Sequence, residues 1–405
     1  MRLWPLALAL LGAAAAALPT GSEEHEWIVL VGGDTQGYLS PCGCTKPMSG
    51  GIRRRATAIE GLRKPGRTLV LENGGLVEGG GRQEELKAEA MAEYLTEIDA
   101  DAVHVTSSET KLGSAVLLAL ANLAGDRLVS TSRSSESVKP TLVKGPFLVG
   151  GASPALGPLD EAAARILREA EARKKEPLAM FDGGLEAARE LARKHPALKL
   201  VVYRSAGSPP TEPEKEGGTW LVTPGDRGRN LVELRFRGGS FSGYRSVNLG
   251  PEFKDHEAVS RIYRTYLERV DEEDLLSQVA RSEGGAFAGT ARCGSCHADA
   301  LKVWKASEHS HALSSLEQDG HGRDPECVRC HVVGLASAQG FQSREKTPQL
   351  ADVGCESCHG AGAAHAADPL TVRLRKVEEK DCVSCHDPDN SPRFDFPAYW
   401  KRIAH

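Results

Sequence analysis

The 405-residue chain is 40% hydrophobic and 26% charged, with a formal net charge of -5 at pH 7. Two domains are the natural expectation at that length. The near-balanced charge excludes recognition of nucleic acid through a broad basic surface. The longest basic runs, Arg53-Arg54-Arg55 and Arg173-Lys174-Lys175, read as solvated helix faces or ends.

At the start, Arg2 supplies a positive n-region, Leu3 to Ala17 an apolar h-region and Ala15-Ala16-Ala17 a small-residue cleavage site. This predicts a signal peptide over residues 1–17. The apolar run is short and no second one follows, so the expectation is a periplasmic or otherwise exported protein, soluble and without a transmembrane segment after cleavage.

Residues 27–250 alternate short apolar runs with amphipathic stretches. Trp27–Val31, Thr68–Leu71, Ala102–Val105, Leu198–Tyr203 and Trp220–Val222 read as buried strands. Ile52–Arg63, Glu84–Ile98 and Gly184–Lys194 read as helices, with Ala and Leu recurring at three- and four-residue intervals. Such alternation indicates an α/β domain. Residues 230–237 and 240–247, flanking Gly238-Gly239, read as a hairpin. His104 lies inside a predicted strand and reads as a packed core residue; His195 follows a Lys/Arg-rich helix and reads as a helix-end group. Residues 251–285 are a linker region built on one amphipathic helix, with Val259, Ile262, Tyr263, Tyr266 and Val270 on one face. Ser282-Glu283-Gly284-Gly285 ends it, and residues 286–405 form the second domain.

That second domain carries four copies of Cys-x-x-Cys-His: Cys293/Cys296/His297, Cys327/Cys330/His331, Cys355/Cys358/His359 and Cys382/Cys385/His386. Composition alone gives about 0.008 copies by chance. Two thiols at this spacing form thioethers to the two vinyl groups of one porphyrin, and the adjacent imidazole becomes the proximal iron ligand. The alternative, zinc held by paired Cys-x-x-Cys units, gives no reason for a His after every second Cys. Four haem c groups are therefore expected, with His297, His331, His359 and His386 as proximal ligands. About 120 residues hold too little apolar side chain for an ordinary core, so the macrocycles supply buried surface and stand close enough for electron relay.

No Met follows Cys293, which removes local His/Met ligation. The distal candidates are His309, His311, His321, His365 and His405. Residues 298–316 read as one helix, which sets His309 and His311 about 200° apart around its axis.

Cys327-Val-Arg-Cys-His-Val-Val-Gly334, the run Lys346 to Gly362 with His365, and Trp304-x-x-Ser307-x-His309-x-x-Ala312 together resemble the cytochrome c-554 family of tetrahaem electron carriers. The resemblance covers roughly residues 290–390. It implies that His309 and His365 are distal ligands and that one haem lacks a sixth ligand.

The block order of residues 27–250 resembles the calcineurin-like metallophosphoesterases, in particular exported 5′-nucleotidases, and implies an α-β-β-α sandwich. Those enzymes use two metal ions to activate water and clamp phosphate. Here Gln36 stands where the His of Asp-x-His belongs, Gly75 replaces the bridging Asp, and Thr106-Ser107-Ser108-Glu109 replaces Gly-Asn-His-Glu. The late Gly-His-x-His block aligns with Arg204-Ser205-Ala206-Gly207. Only Asp34 survives, so no phosphoesterase activity is expected.

Cys42 and Cys44, in the loop after the first strand, stand outside the haem motifs. A thiolate pair there can bind a soft metal, contact a haem edge or act as a redox couple; the alternative is two inert thiols in a tight turn. The sequence thus reads as an α/β domain followed by a mostly α, loop-rich multihaem cytochrome c domain. The expected role is electron transfer with redox partner proteins, including a membrane redox complex, and the first domain acts as a docking or redox accessory module. The alternative is a multihaem reductase of a small nitrogen or sulfur oxide at a five-coordinate haem.

Overall fold

The computed structural model describes residues 26–41, 48–388 and 390–405. The signal-type segment and the Cys42/Cys44 pair lie outside the described residues. Twelve strands follow in chain order: β1 (Glu26–Gly32), β2 (Thr68–Glu72), β3 (Ala102–His104), β4 (Leu128–Val129), β5 (Thr141–Lys144), β6 (Phe147–Ala152), β7 (Glu176–Phe181), β8 (Leu200–Val202), β9 (Glu214–Glu216), β10 (Thr219–Val222), β11 (Asn230–Arg237) and β12 (Ser240–Asn248). They form two six-stranded sheets, in the orders β12-β11-β1-β2-β3-β4 and β5-β6-β7-β8-β10-β9.

Why these segments become strands is visible in where their side chains go. Along β1, Val29 and Val31 point between the sheets with Leu69, Leu71, Val149, Met180 and Val202, whereas Ile28 and Leu30 point to the outer helices. Strands covered on both faces read as continuous apolar runs instead of alternating ones. Helices α1 (Ile52–Leu62), α2 (Arg82–Glu97), α3 (Ser107–Thr110) and α4 (Ser114–Ala124) follow the first three strands, while α5 (Leu159–Arg173) and α6 (Leu185–Lys194) pack on the second sheet. The result is an α-β-β-α sandwich.

Helix α7 (Glu257–Glu272) is shorter than the amphipathic pattern suggests, and Asp274, in the left-handed region at φ 45°, turns the chain just beyond it. Its Val259, Tyr263, Tyr266 and Val270 enter the same core as α1 and α2, so this helix is part of the sandwich's outer layer.

The 53–55 run is not simply a solvated face. Arg55 is fully buried, and its Nη1 donates to Glu72 Oε1 and Oε2 at 3.1 and 3.0 Å. Its Nη2 donates to Thr35 Oγ1 at 3.1 Å. The pair ties α1 to the end of β2 and to the loop carrying Asp34, with the two charges paired inside the core. His104 is fully buried and His195 bonds Asp160 at 3.0 Å from the end of α6.

After α7 the chain becomes a set of short helices: α8 (Thr290–Gly294), α9 (Ala298–Lys305), α10 (Ala312–Gln318), α11 (Pro325–His331), α12 (Cys355–His359), α13 (Ala363–Ala367), α14 (Glu379–Cys382) and α15 (Phe396–Trp400). Its apolar cluster is small and centres on Leu276, Leu313, Val328, Val333, Phe341 and Leu350. The single helix expected over 298–316 is broken: Ser307 is extended, its hydroxyl donates to Trp304 O at 2.7 Å, and residues 308–311 form a 3-10 turn. His309 and His311 are thus not set by α-helical angles.

Among the described residues, no helix is long and apolar enough to cross a membrane.

Candidate functional sites

Each Cys-x-x-Cys-His motif occupies or borders one helical turn, and residues at i, i+3 and i+4 of a turn share a side. Both thiols and the imidazole of a motif would therefore address one macrocycle from the same side. The turns are fixed by polar groups of the chain itself. Asp324 caps α11 by accepting from Glu326 N at 3.0 Å, with Pro325 in the first turn. Glu356, buried inside the third motif, accepts from the backbone N–H groups of Ala288, Gly289 and Gly362 at 2.7–2.8 Å and so joins the approach to the first motif to the third. Thiols of different motifs also meet: Cys293 hydrogen-bonds Cys355 and Cys330 hydrogen-bonds Cys385. Cys358 in turn lies within electrostatic range of Cys382 and Cys385.

Cys296 departs from the sheltered setting of the other expected anchors. It is exposed, whereas the other seven motif thiols are half-buried. The reason is local: α8 ends at Gly294, so Cys296 stands in the open turn before α9, with the Ser295 hydroxyl 3.9 Å from its sulfur. The turn itself is kept, since Cys296 N and His297 N both donate to Cys293 O, at 3.2 and 3.0 Å. The thiol therefore holds the motif's relation to Cys293 and His297 but borders the first site from its solvent edge.

Three of the four motif imidazoles face a second imidazole. The ring centres of His297 and His365 are 6.2 Å apart, those of His386 and His309 are 6.1 Å apart, and those of His359 and His405 are 6.0 Å apart. Two imidazoles bonded to one metal at about 2 Å per nitrogen place their ring centres on the order of 6 Å apart.

In four of these six rings the other nitrogen is tied to the protein. Nδ1 bonds Val372 O at 2.8 Å in His365, Arg375 O at 3.2 Å in His359 and Ile403 O at 2.9 Å in His405. His386 Nδ1 shares a hydrogen bond of 2.8 Å with Ser391 Oγ. A carbonyl on Nδ1 fixes the proton there and leaves Nε2 as the donor to a metal. Burial lowers the pKa of His309 and of His386, which keeps both rings in the neutral form that binds iron.

His331 differs. Its Nδ1 bonds Ala312 O at 2.7 Å, so its Nε2 is available, but among the described residues no second His ring is stacked against it. The two remaining candidates are elsewhere. His311 is exposed. His321 lies against Tyr263, with ring centres 5.9 Å apart and Nε2 3.5 Å from the phenol oxygen. His321, Asp324 and Cys327 have metal-ligand spacing, within 4.8 Å of one another. A thioether on Cys327 would consume one of the three donors.

In the sandwich, the residues aligned with phosphoesterase ligands converge at the carboxyl ends of the strands. Arg204 dominates the place. Its Nη2 is ion-paired to Asp34 and its Nη1 to Asp182 Oδ1 at 3.0 Å. Asp182 Oδ2 accepts from Ser107 N at 2.9 Å and from Ser153 Oγ at 2.8 Å. Burial works to raise both carboxyls. It prevails at Asp34 against Arg204, whereas at Asp182 the Ser107, Ser153 and Arg204 bonds bring the pKa below the usual range. A Cβ at Gly75 would stand 2.6 Å from Asp34 Oδ1 and 3.1 Å from Arg204 Nη2. Position 75 thus adjoins the guanidinium, in agreement with its alignment to the bridging Asp. Glu109 is used structurally, accepting from Leu76 N at 2.7 Å and Thr106 N at 2.8 Å.

His104 lies behind this cleft with both ring nitrogens unpartnered, and burial lowers its pKa to about 4. An unfolded His protonates near 6.5, so the unfolded state gains a proton first as pH falls. Stability is present above pH 6.5 and is lost between 6.5 and about 4, by about 3 kcal/mol. His104→Leu should flatten that part of the pH–stability curve; equal slopes for variant and parent would refute this source.

Residues 292–360 match the family described as cytochrome c554 and c-prime. Cytochrome c-554 of Nitrosomonas europaea is 33% identical over 109 residues, which are 23% of this chain and 46% of that protein. The sulfate thiohydrolase SoxB of Thermus thermophilus superposes with a TM-score of 0.52 at 15% identity, over 63% of this chain and 62% of that one. The NAD nucleotidase of Haemophilus influenzae gives 0.52 at 16% identity, over 66% and 64%. A 5′-nucleotidase precursor of Thermus thermophilus gives 0.51 at 17%, over 65% and 61%. The chain thus spans about half the length of its curated relative and under two thirds of these structures. Its cysteine-rich segment is similar in sequence to the cytochrome c-554 family, and its sandwich has the calcineurin-like phosphoesterase fold.

Proposed function

We propose that this protein is an exported tetrahaem electron carrier in which residues 286–405 hold four haem c groups and residues 27–250 form a catalytically inactive phosphoesterase-like module. The carrying observation is the set of three imidazole pairs at 6.0–6.2 Å. His297/His365, His386/His309 and His359/His405 would each hold one iron from both sides. The eight motif Cys would anchor the macrocycles, Cys296 from the exposed edge of the first site. Haem supplies reversible one-electron chemistry, and bis-His ligation sets a lower potential than His/Met would. The contacts between motif thiols support a relay in the order first, third, fourth, second. The arginine at the phosphoesterase cleft supports inactivity there: a fixed guanidinium already pairs with both carboxylates and occupies the place between them. Cys42 and Cys44 remain assigned, as part of this proposal, to a redox or soft-metal pair serving the same module. Donor and acceptor would be redox proteins, one of them in a membrane complex.

A second reading, reduction of a small nitrogen or sulfur oxide, is favoured by one observation: His331 faces no second imidazole among the described residues. One sample tests both. Pyridine haemochrome should count four haems, and EPR of the oxidised protein should give three low-spin bis-His signals and one high-spin signal. Four low-spin signals would remove the reductase reading; fewer than four haems would overturn the tetrahaem assignment.

A further inference from the structure

The sandwich and the haem segment meet mainly around the second motif. Gln83 Nε2, on α2, donates to Asp324 Oδ1 at 2.7 Å, the oxygen that caps α11. One turn along, Lys87 is buried, pairs with Glu84 at 2.9 Å and reaches across to Glu326 in the first turn of α11. From α7, Tyr263 reaches His321, and Asp271 binds Arg323 at 2.6 Å. On the far side of the motif, Arg281 Nη1 donates to Leu335 O at 3.0 Å and Phe341 O at 2.7 Å. These bonds bracket residues 321–341, within which Cys327, Cys330 and His331 lie.

Two independent features therefore coincide. The motif clamped by the sandwich is also the one whose expected proximal imidazole, among the described residues, has no His opposite it. We propose that the phosphoesterase-like domain is a fixed wall of the second haem site, with Gln83, Lys87 and Tyr263 as positioning residues for it. This rests on the reading that the second haem has a single protein ligand.

The physical case is one of geometry. Helix α11 is only seven residues long and carries the whole motif, so its orientation is set by what holds its first turn. Asp324, Glu326 and His321 are at or just before that turn, and their partners are on long helices whose inner faces are packed into the sandwich core. A shift of α2 or α7 would move the haem attachment points of the second motif while leaving the other three motifs on their own supports. Access to the free side of that iron by a small neutral or anionic molecule would then depend on the sandwich.

The test uses the full-length, haem-loaded protein, with EPR of the oxidised form and carbon monoxide as the probe of the reduced form. Tyr263→Phe keeps the ring and removes only the hydroxyl; Lys87→Met removes the charge, and Lys87→Arg restores it. Losing one buried hydrogen bond corresponds to about a fivefold change in an equilibrium or rate. Tyr263→Phe and Lys87→Met are expected to alter the high-spin signal and to change carbon monoxide association about fivefold, with the three low-spin signals retained and Lys87→Arg close to the parent. Unchanged high-spin signal and carbon monoxide kinetics would overturn the proposal, as would equal disturbance of all four haems. A parent protein with no high-spin centre would instead defeat the reading on which it rests.

Discussion

His365→Ala in the haem-loaded protein is expected to turn one low-spin ferric centre into a high-spin one while the haem count stays at four. Attachment depends on the motif thiols, which this change does not touch, whereas spin state depends on the second axial nitrogen. His365 is the ring opposite His297, and its Nδ1 bond to Val372 O leaves only Nε2 to meet a metal. With one high-spin centre expected in the parent, the variant should show two, about a quarter of the iron having changed state. His311→Ala is the control: that ring is exposed and should leave every signal in place. An unchanged spectrum for His365→Ala would mean that the His297 iron has another distal ligand. A changed spectrum for His311→Ala would mean that the pairing by ring separation is misassigned.

The sequence made the proposed haem attachment sites legible because covalent chemistry demands fixed spacing, and it made the departures from the phosphoesterase blocks legible because such blocks are short and lie at strand ends. Spacing did not show that α8 stops short of Cys296 and leaves that thiol exposed. Strands β1, β2, β8 and β10 were readable because both faces are buried. Others were hidden by residues that strand rules disfavour. In β6, Gly150 and Gly151 stand where a Cβ would meet Ile166 and the His104 ring at 2.4 Å, so the glycines record close packing that no local pattern shows. In β7, Pro177 interrupts the apolar run.

The imidazole pairing was hidden for a different reason. His405 meets His359 from the end of the chain, and His309 meets His386 across 77 residues, so both depend on tertiary closure. Periodicity also misled at residues 298–316, where Ser307 breaks the helix and turns His309 to its partner. The Arg53-Arg54-Arg55 run shows the limit of reading charge as surface, since Arg55 is held inside by Glu72 and Thr35.

Arg204→Ala is expected to be the most destabilising change in the phosphoesterase cleft. The guanidinium is the common partner of Asp34 and Asp182, which are 6% and 5% exposed against 23% for Arg204 itself. Removing one member of a buried ionic group leaves uncompensated charge and costs ~3–5 kcal/mol; the partial exposure of Arg204 places this case near the lower end. Asp182 keeps its bonds from Ser107 and Ser153, so the larger share of the loss falls on Asp34, whose carboxyl burial already pushes upward. Thermal or denaturant unfolding of parent and variant measures this directly, and a variant as stable as the parent would show that the arginine does not hold the cleft.

The chemistry left behind makes a second measurement informative. Two facing carboxylates without their guanidinium are a cation site, so millimolar Mn²⁺ should recover part of the lost stability in Arg204→Ala and do little to the parent. Nucleotide hydrolysis should stay absent even then. Position 75 has no carboxylate, position 36 is Gln, and Ser107 and Ser108 replace Asn and His, so a recovered cation would lack the ligands that assemble a two-metal centre. Hydrolysis by the Mn²⁺-loaded variant would show that the arginine alone had silenced the cleft, and the domain would have to be reclassified as a latent phosphoesterase.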